Sequence, residues 1–210
     1  MTRTSPVPPA PQLLTAAILA GGQGARMGGA DKGLIEIAGK PLIERVFERL
    51  RPQVAEILIC TNRNHEIYAR YGHPLLRDRG AEYAGPMAGM AVALTAARTT
   101  QVLFVPVDAP YLPVDLASRL CMAAENHDTD LCVAHDGRHM IPVCCLVSVR
   151  LAADLEASLA RGERSVQTWL HRHQALEVSF AEWPREFWSV NTPQELITAE
   201  KLLKTRDSLA

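Results

Sequence analysis

The chain has 210 residues, 48% apolar and 21% charged, with 22 Lys plus Arg against 23 Asp plus Glu for a formal net charge of −1. That composition suits one α/β domain with a useful core, and the lack of a basic excess argues against a groove that tracks nucleic acid. No run approaches the ~20 apolar residues of a membrane span, and five cysteines without C-x-x-C spacing point to buried, reduced thiols rather than a disulfide framework or zinc site.

Residues 1–12 carry four prolines and no apolar run, and read as a disordered tail. Residues 13–210 then form a single domain with no internal repeat or linker, expected in the cytoplasm because the start of the chain lacks a secretory layout. Leu13 to Ala20 is continuously apolar and stops at Gly21-Gly22, the pattern of a strand buried on both faces. A long glycine-rich loop runs to Gly33. Pro41 opens a helix with Leu42, Val46, Phe47 and Leu50 at helical spacing, ending before Pro52.

Glu56 to Cys60 is the next strand, followed by a short helix through Tyr68 to Gly72 and a short strand over Pro74 to Arg77. Gly85-Pro86 starts a helix to about Ala97, Val102 to Val107 is a strand, and Pro113 opens a helix through Leu116 and Leu120. This alternation predicts a doubly wound, mostly parallel sheet with helices on both faces. In the C-terminal half, Leu131 to Ala134, an Asp136-Gly137 turn and Val143 to Val149 predict an antiparallel pair. Leu176 to Phe180 is a last strand. Thr192-Pro193-Gln194-Glu195 is a helix start with Thr as N-cap and Glu completing a capping box.

The loop Gly21-Gly22-Gln23-Gly24-Ala25-Arg26-Met27-Gly28-Gly29-Ala30-Asp31-Lys32-Gly33 carries the main chemical signal. Glycines after a buried strand let the backbone approach a ligand and offer N–H groups to anionic oxygens. Arg26 and Lys32 add two cations, as a polyphosphate requires. The loop is neither a dinucleotide fingerprint, because Met27 stands where the third glycine belongs, nor a P-loop, because Asp31 precedes Lys32 and Gly33 follows it. Asp108, directly after an apolar strand, falls at the carboxyl end of the sheet, where a hard carboxylate can hold Mg²⁺ or, before Ala109-Pro110, simply form a turn.

The run Leu19-Ala20-Gly21-Gly22-x-Gly24-x-Arg26-Met27-Gly28 to Lys32 resembles the signature loop of nucleotidyltransferases that activate sugars and cofactors. With Gly33-Leu34 it is similar in particular to the molybdenum cofactor guanylyltransferases. Thr61-Asn62-Arg63-Asn64, Asp78, Gly85-Pro86-Met87-Ala88-Gly89, Pro106-Val107-Asp108-Ala109-Pro110, His135-Asp136-Gly137, Gly162-Glu163-Arg164 and Val190-Asn191-Thr192-Pro193 follow in that family's order, over residues 14 to 203. Departures are Cys60 for Asn or Ser, Val107 for Cys, Ile141-Pro142 for His-Pro, and Ser189 for Asn.

The resemblance implies GMP transfer from GTP to the terminal phosphate of molybdenum-loaded molybdopterin, with Mg²⁺ as cofactor. It implies catalytic roles for Lys32, Arg26 and Asp108, the last as metal ligand. Leu19, Ala20, Gly21, Gly22, Gly24, Lys32, Cys60, Asp78 and Gly89 would bind nucleotide, Asp78 through guanine or ribose. Asn62, Arg164 and Asn191 would lie on the pterin side. Transient contact with molybdenum insertion proteins or molybdoenzyme chaperones also follows, without nucleic acid or membrane. Alternatives are a cytidylyl or sugar-phosphate transferase, an NAD(P)-binding dehydrogenase and a silent nucleotide-binding partner. Gly21 favours guanine, since cytidylyl relatives tend to read L-A-A-G. His171-Arg172-His173 reads as a solvated helix end, and Phe180, Trp183, Phe187 and Trp188 as core.

Overall fold

Strand β1 (Gln12–Leu19) shows why the chain layers as it does. Its Leu14, Ala16 and Ile18 pack into one core, while Ala17 packs into another on the opposite face. The strand is thus covered on both sides, as its unbroken apolar run requires. The structure is a computed structural model that describes residues 12–22, 27–78, 85–183 and 185–207. The expected tail falls outside these residues except for Gln12.

After β1 come β2 (Glu36–Ile37), β3 (Lys40–Pro41), α1 (Leu42–Leu50), β4 (Val54–Cys60), α2 (His65–Ala69) and β5 (Leu75–Leu76). Then follow α3 (Pro86–Ala96), β6 (Gln101–Pro106), α4 (Leu116–His127), β7 (Leu131–His135) and β8 (Met140–Ser148). The chain continues through α5 (Ala152–Ala160), α6 (Val166–Arg172), β9 (Leu176–Ser179) and α7 (Pro193–Asp207). The main sheet has the order β5-β4-β1-β6-β8-β7-β9. Only β8 runs against its neighbours, pairing antiparallel with both β6 and β7. A tight turn imposes this reversal: the Asp136 carboxylate accepts from Arg138 N at 2.8 Å and His139 N at 2.7 Å.

One core joins the sheet to α1 and α4 through Ile43, Phe47, Leu116 and Leu120. The other joins it to α3, α5 and α6 through Met87, Met90, Leu155 and Trp169. Strand residues alternate between the two, as in Leu103 and Val105 against Val102 and Phe104. Helix α3 is buried from Met87 through Leu94, and its small residues bring it close to the sheet. A Cβ at Gly89 would stand 3.1 Å from Leu19 Cδ2 and 3.3 Å from Cys60 Cβ. A third, smaller cluster of Ile37, Leu42, Tyr111, Val190 and Ala199 fixes α7 against the β2–β3 hairpin.

The sheet, its parallel majority and the reversed strand agree with the sequence reading. Five details differ. Helix α4 begins at Leu116 rather than Pro113, because Asp115 has φ −114° and ψ 14° and does not continue a helix. The β2–β3 hairpin was not expected; its Ala38 and Gly39 both take left-handed φ, 49° and 72°, as a two-residue hairpin turn demands. Helix α5 was not anticipated, and of α6 only its end at His171–His173 was. The helix end at His171–His173 is not simply solvated: Arg172 and His173 both bond Asp154, at 3.1 and 2.7 Å. Phe180 and Phe187 are core, whereas Trp183 is exposed. All five cysteines are free and buried.

Candidate active site

From β1 the chain moves to β4 and β5 on one side, then returns to β6 on the other. Strand order therefore switches at β1, and the carboxyl ends of β1, β4 and β6 diverge into a crevice, the usual ligand position in such sheets. A cleft of about 510 Å³ opens there, within the range of small-molecule sites. Leu19 to Gly22 form its floor beyond β1, with Cys60, Pro106, Val107 and Asp108 at the ends of β4 and β6. The first turn of α3 contributes Gly85, Pro86 and Gly89, so the electropositive end of a helix adjoins the cleft.

Lys32 and Asp108 meet on one wall. Lys32 Nζ donates to Asp108 Oδ2 at 2.7 Å and to Asn191 Oδ1 at 2.5 Å. Three elements distant in sequence build this triad. Asp31 caps the 3₁₀ turn Lys32–Leu34 by accepting from Gly33 N at 3.2 Å. Val107 N bonds Leu19 O at 3.2 Å, tying the turn after β6 to β1. Val190 N bonds Asp108 O at 2.9 Å and delivers Asn191. Thr192 caps α7 as expected, accepting from Glu195 N at 3.2 Å. The Glu195 carboxylate reaches one residue further back than a capping box would, to Asn191 N at 2.7 Å.

The opposite wall carries Asp78. Its carboxylate Oδ2 accepts from Asn62 Nδ2 at 2.7 Å, and its N–H donates to Asn62 Oδ1 at 3.0 Å. A Cβ at Gly89 would lie 3.9 Å from the other oxygen, Oδ1, which is thus turned to the cleft side of α3. Cys60 Sγ donates to Gly89 O at 3.4 Å. Burial first, and the Asp78 charge second, push the Cys60 thiol far above its ordinary range, so it stays a neutral wall group and no nucleophile.

Among the residues singled out from sequence, Leu19, Ala20, Gly21, Gly22, Lys32, Cys60, Asp78, Gly89, Asp108 and Asn191 all line this cleft. Gly24 and Arg26 lie outside the described residues. Asn62 sits beside Asp78 and Gly21, whereas Asn191 bonds Lys32 beside Asp108. The Arg164 side chain does not line the cleft; it donates to Leu159 O and Glu163 O, and only its carbonyl approaches Gly85. Val143 and Ser189 complete the lining without having been chosen as site residues. For Ser189 the signal was its departure from the family pattern; Val143 had none.

The model of the MobA-like NTP transferase domain matches residues 16–176. A molybdenum cofactor guanylyltransferase from Shewanella amazonensis is 44% identical over 190 residues, covering 90% of this chain and 97% of that protein. Another of that name, from Shewanella loihica, is 41% identical over 87% of this chain and 93% of its own length. The chain belongs to the molybdenum cofactor guanylyltransferases, within the MobA-like NTP transferase family.

Solved structures agree on the fold. Molybdopterin-guanine dinucleotide biosynthesis protein A from Archaeoglobus fulgidus superposes with a TM-score of 0.78 at 22% identity, over 91% of this chain and 99% of that one. 2-C-methyl-D-erythritol 4-phosphate cytidylyltransferase from Thermus thermophilus gives 0.67 at 18% identity, over 90% and 98%. As a MobA-like transferase the protein is a nucleotidyltransferase, and the cleft combines what that chemistry needs: a glycine loop, a lysine, a carboxylate at the sheet edge and a helix N-terminus. Among the described residues no group of three or more His, Cys, Asp or Glu gathers as a metal cage. No helix among them is long and apolar enough to cross a membrane.

Proposed function

We propose that the protein transfers GMP from GTP to the terminal phosphate of molybdenum-loaded molybdopterin, forming the guanine dinucleotide cofactor and pyrophosphate. The single observation carrying this reading is the Lys32–Asp108–Asn191 cluster beside the glycine loop, in a chain whose relatives bear the guanylyltransferase name.

The acceptor phosphate is already anionic at neutral pH, so no side chain has to take its proton. Its oxygen attacks the α-phosphorus of GTP, and the bond to the β-phosphate bridging oxygen breaks to release pyrophosphate. Catalysis then consists of alignment and charge neutralisation. Lys32 supplies a cation to the phosphate oxygens, and the first turn of α3 adds its dipole. Asp78 Oδ1 accepts from the Watson–Crick edge of guanine while Asn62 holds Oδ2. Val143, Ser189 and Asn191 border the side left for the acceptor.

The donor set suits Mg²⁺. A single hard carboxylate, Asp108, with the remaining oxygens drawn from phosphates and water, is the usual way this ion is held. Bound there, Mg²⁺ would supply Lewis-acid stabilisation of charge on the phosphates. Lys32 and Asp108 neutralise one another in the structure; with substrate bound, Lys32 would face the phosphates and Asp108 would hold the cation. The reaction belongs in the cytoplasm, and handover of product to molybdenum insertion proteins or molybdoenzyme chaperones is part of the same reading.

Purified protein given molybdenum-loaded molybdopterin should release pyrophosphate from GTP, not CTP, and only with a divalent cation. Equal turnover after exhaustive chelation would remove Asp108 from its role; preference for CTP would remove guanine.

A further inference from the structure

Arg63 lies just beyond β4 and outside the cleft lining, yet its guanidinium gathers three backbone carbonyls. NH1 donates to Gly29 O at 2.8 Å, while NH2 donates to Gly22 O at 3.0 Å and to Ala30 O at 2.9 Å. Gly22 belongs to the strand side of the phosphate-loop candidate, Gly29 and Ala30 to its helix side. One planar group therefore ties both ends of the loop together. The second end is itself a tight turn: Ala30 N bonds Met27 O at 3.2 Å, and Gly28 and Gly29 take φ of 65° and 81°.

The neighbours of Arg63 extend the grip. Its Nε is buried and stands 3.6 Å from Asp31 Oδ2. Asn64 Nδ2 donates to that same Asp31 oxygen at 2.9 Å, and Tyr68 OH donates to Oδ1 at 2.6 Å. Asp31 immediately precedes Lys32 and caps its 3₁₀ turn.

We propose that Arg63 is a positioning residue of the triphosphate loop. Its donors hold the carbonyl oxygens of Gly22, Gly29 and Ala30 within the protein, which fixes the loop's two described ends beside Lys32 for the anionic ligand. A guanidinium suits this task because its fixed fork serves several acceptors in one plane, which a lysine ammonium on a flexible stem does not. The proposal rests on the reading of the cleft as a nucleoside triphosphate site, and names a residue for holding that site's shape rather than for touching substrate.

The test uses the full chain with Arg63→Ala and Arg63→Lys. GTP binding by calorimetry should weaken about 10-fold or more in Arg63→Ala, the effect of losing a charge-assisted contact, while the KM for the molybdopterin acceptor stays within twofold. Arg63→Lys should recover only part of the loss, and added guanidinium ion should restore GTP binding to Arg63→Ala but not to wild type. Hydrogen exchange should rise in residues 27–34 and not in β1 or β6. Unchanged GTP affinity would overturn the proposal. So would a loss that guanidinium does not relieve and that comes with faster exchange throughout the sheet, since Arg63 would then be a general stabiliser. Wild-type protein that fails to bind GTP at all would instead overturn the triphosphate reading beneath it.

Discussion

Lys32 Nζ lies 2.7 Å from Asp108 Oδ2, although 76 positions separate them in sequence. Both side chains are largely buried, 20% and 13% exposed, and the ion pair stands at the carboxyl edge of the sheet with Asn191 as third partner. A pair so placed holds two charges ready for substrates that carry the opposite signs.

Lys32→Ala should therefore lower kcat/KM by about 100-fold or more, the scale of removing one donor from developing transition-state charge. The melting temperature should fall as well, because removing one partner of a largely buried pair leaves the Asp108 carboxylate uncompensated. Steady-state kinetics beside a thermal melt measures both; activity within twofold of wild type would place Lys32 outside the chemistry.

Gly21→Ala separates fold from ligand. A Cβ there meets Asn62 Nδ2 at 3.5 Å and Cys60 O at 4.0 Å, which is ordinary contact. No left-handed φ is involved, so alanine fits this backbone. The variant should fold like wild type, and its methyl group should crowd the nucleotide alone. The predicted loss in kcat/KM for GTP is about 10-fold, the scale of one methylene-sized misfit, with a smaller loss for CTP. An unchanged GTP to CTP ratio would mean that Gly21 does not read the base.

Gly33→Ala makes the opposite case. A Cβ there would collide with the Tyr68 hydroxyl and come within 2.9 Å of Val107 Cγ2. Overpacking of this kind costs about 1–3 kcal/mol and would displace the hydroxyl from Asp31. Chemical denaturation should show the midpoint shift with an unchanged m-value; a variant as stable as wild type would contradict the packing around Tyr68.

Asp154 ties α5 to α6 by accepting from Trp169 Nε1 at 2.8 Å, and His173 and Arg172 share the same oxygen. The Trp169 hydrogen bond first, opposed by partial burial and joined by His173 and Arg172, lowers the Asp154 pKa below its ordinary value. A carboxylate with a depressed folded-state pKa stabilises above its unfolded value of about 4 and loses that contribution as pH falls through its folded value. Asp154→Asn should melt earlier than wild type at pH 7, and the two curves should converge in acid as pH falls through the lowered folded-state value. Parallel curves across that range would show no linkage at this carboxyl.

How legible these features were depends on how local their causes are. The β1 run and the glycine loop are contiguous, and burial on both faces leaves an unbroken apolar signature that reads directly. Asp108 was legible because it lies just past an unbroken apolar strand, separated from the end of β6 only by Val107. Helix α5 and the start of α6 were not, since their buried Leu155, Val166, Trp169 and Leu170 are few and split by the Gly162 turn. Asn62 was grouped with the acceptor side, but its position depends on the ends of β4 and β5 lying side by side in the sheet, which spacing alone does not reveal. Arg63 was visible in a motif, and its hold on three carbonyls needed the fold.

The central claim is most directly tested by following both ends of GTP in one reaction with molybdenum-loaded molybdopterin and Mg²⁺. Label on the α-phosphorus should appear in a pterin–guanine dinucleotide of the expected mass, and label on the γ-phosphorus in pyrophosphate, in equal amounts. Label from the α-phosphorus found only in free GMP or GDP, with no dinucleotide formed, would contradict the account.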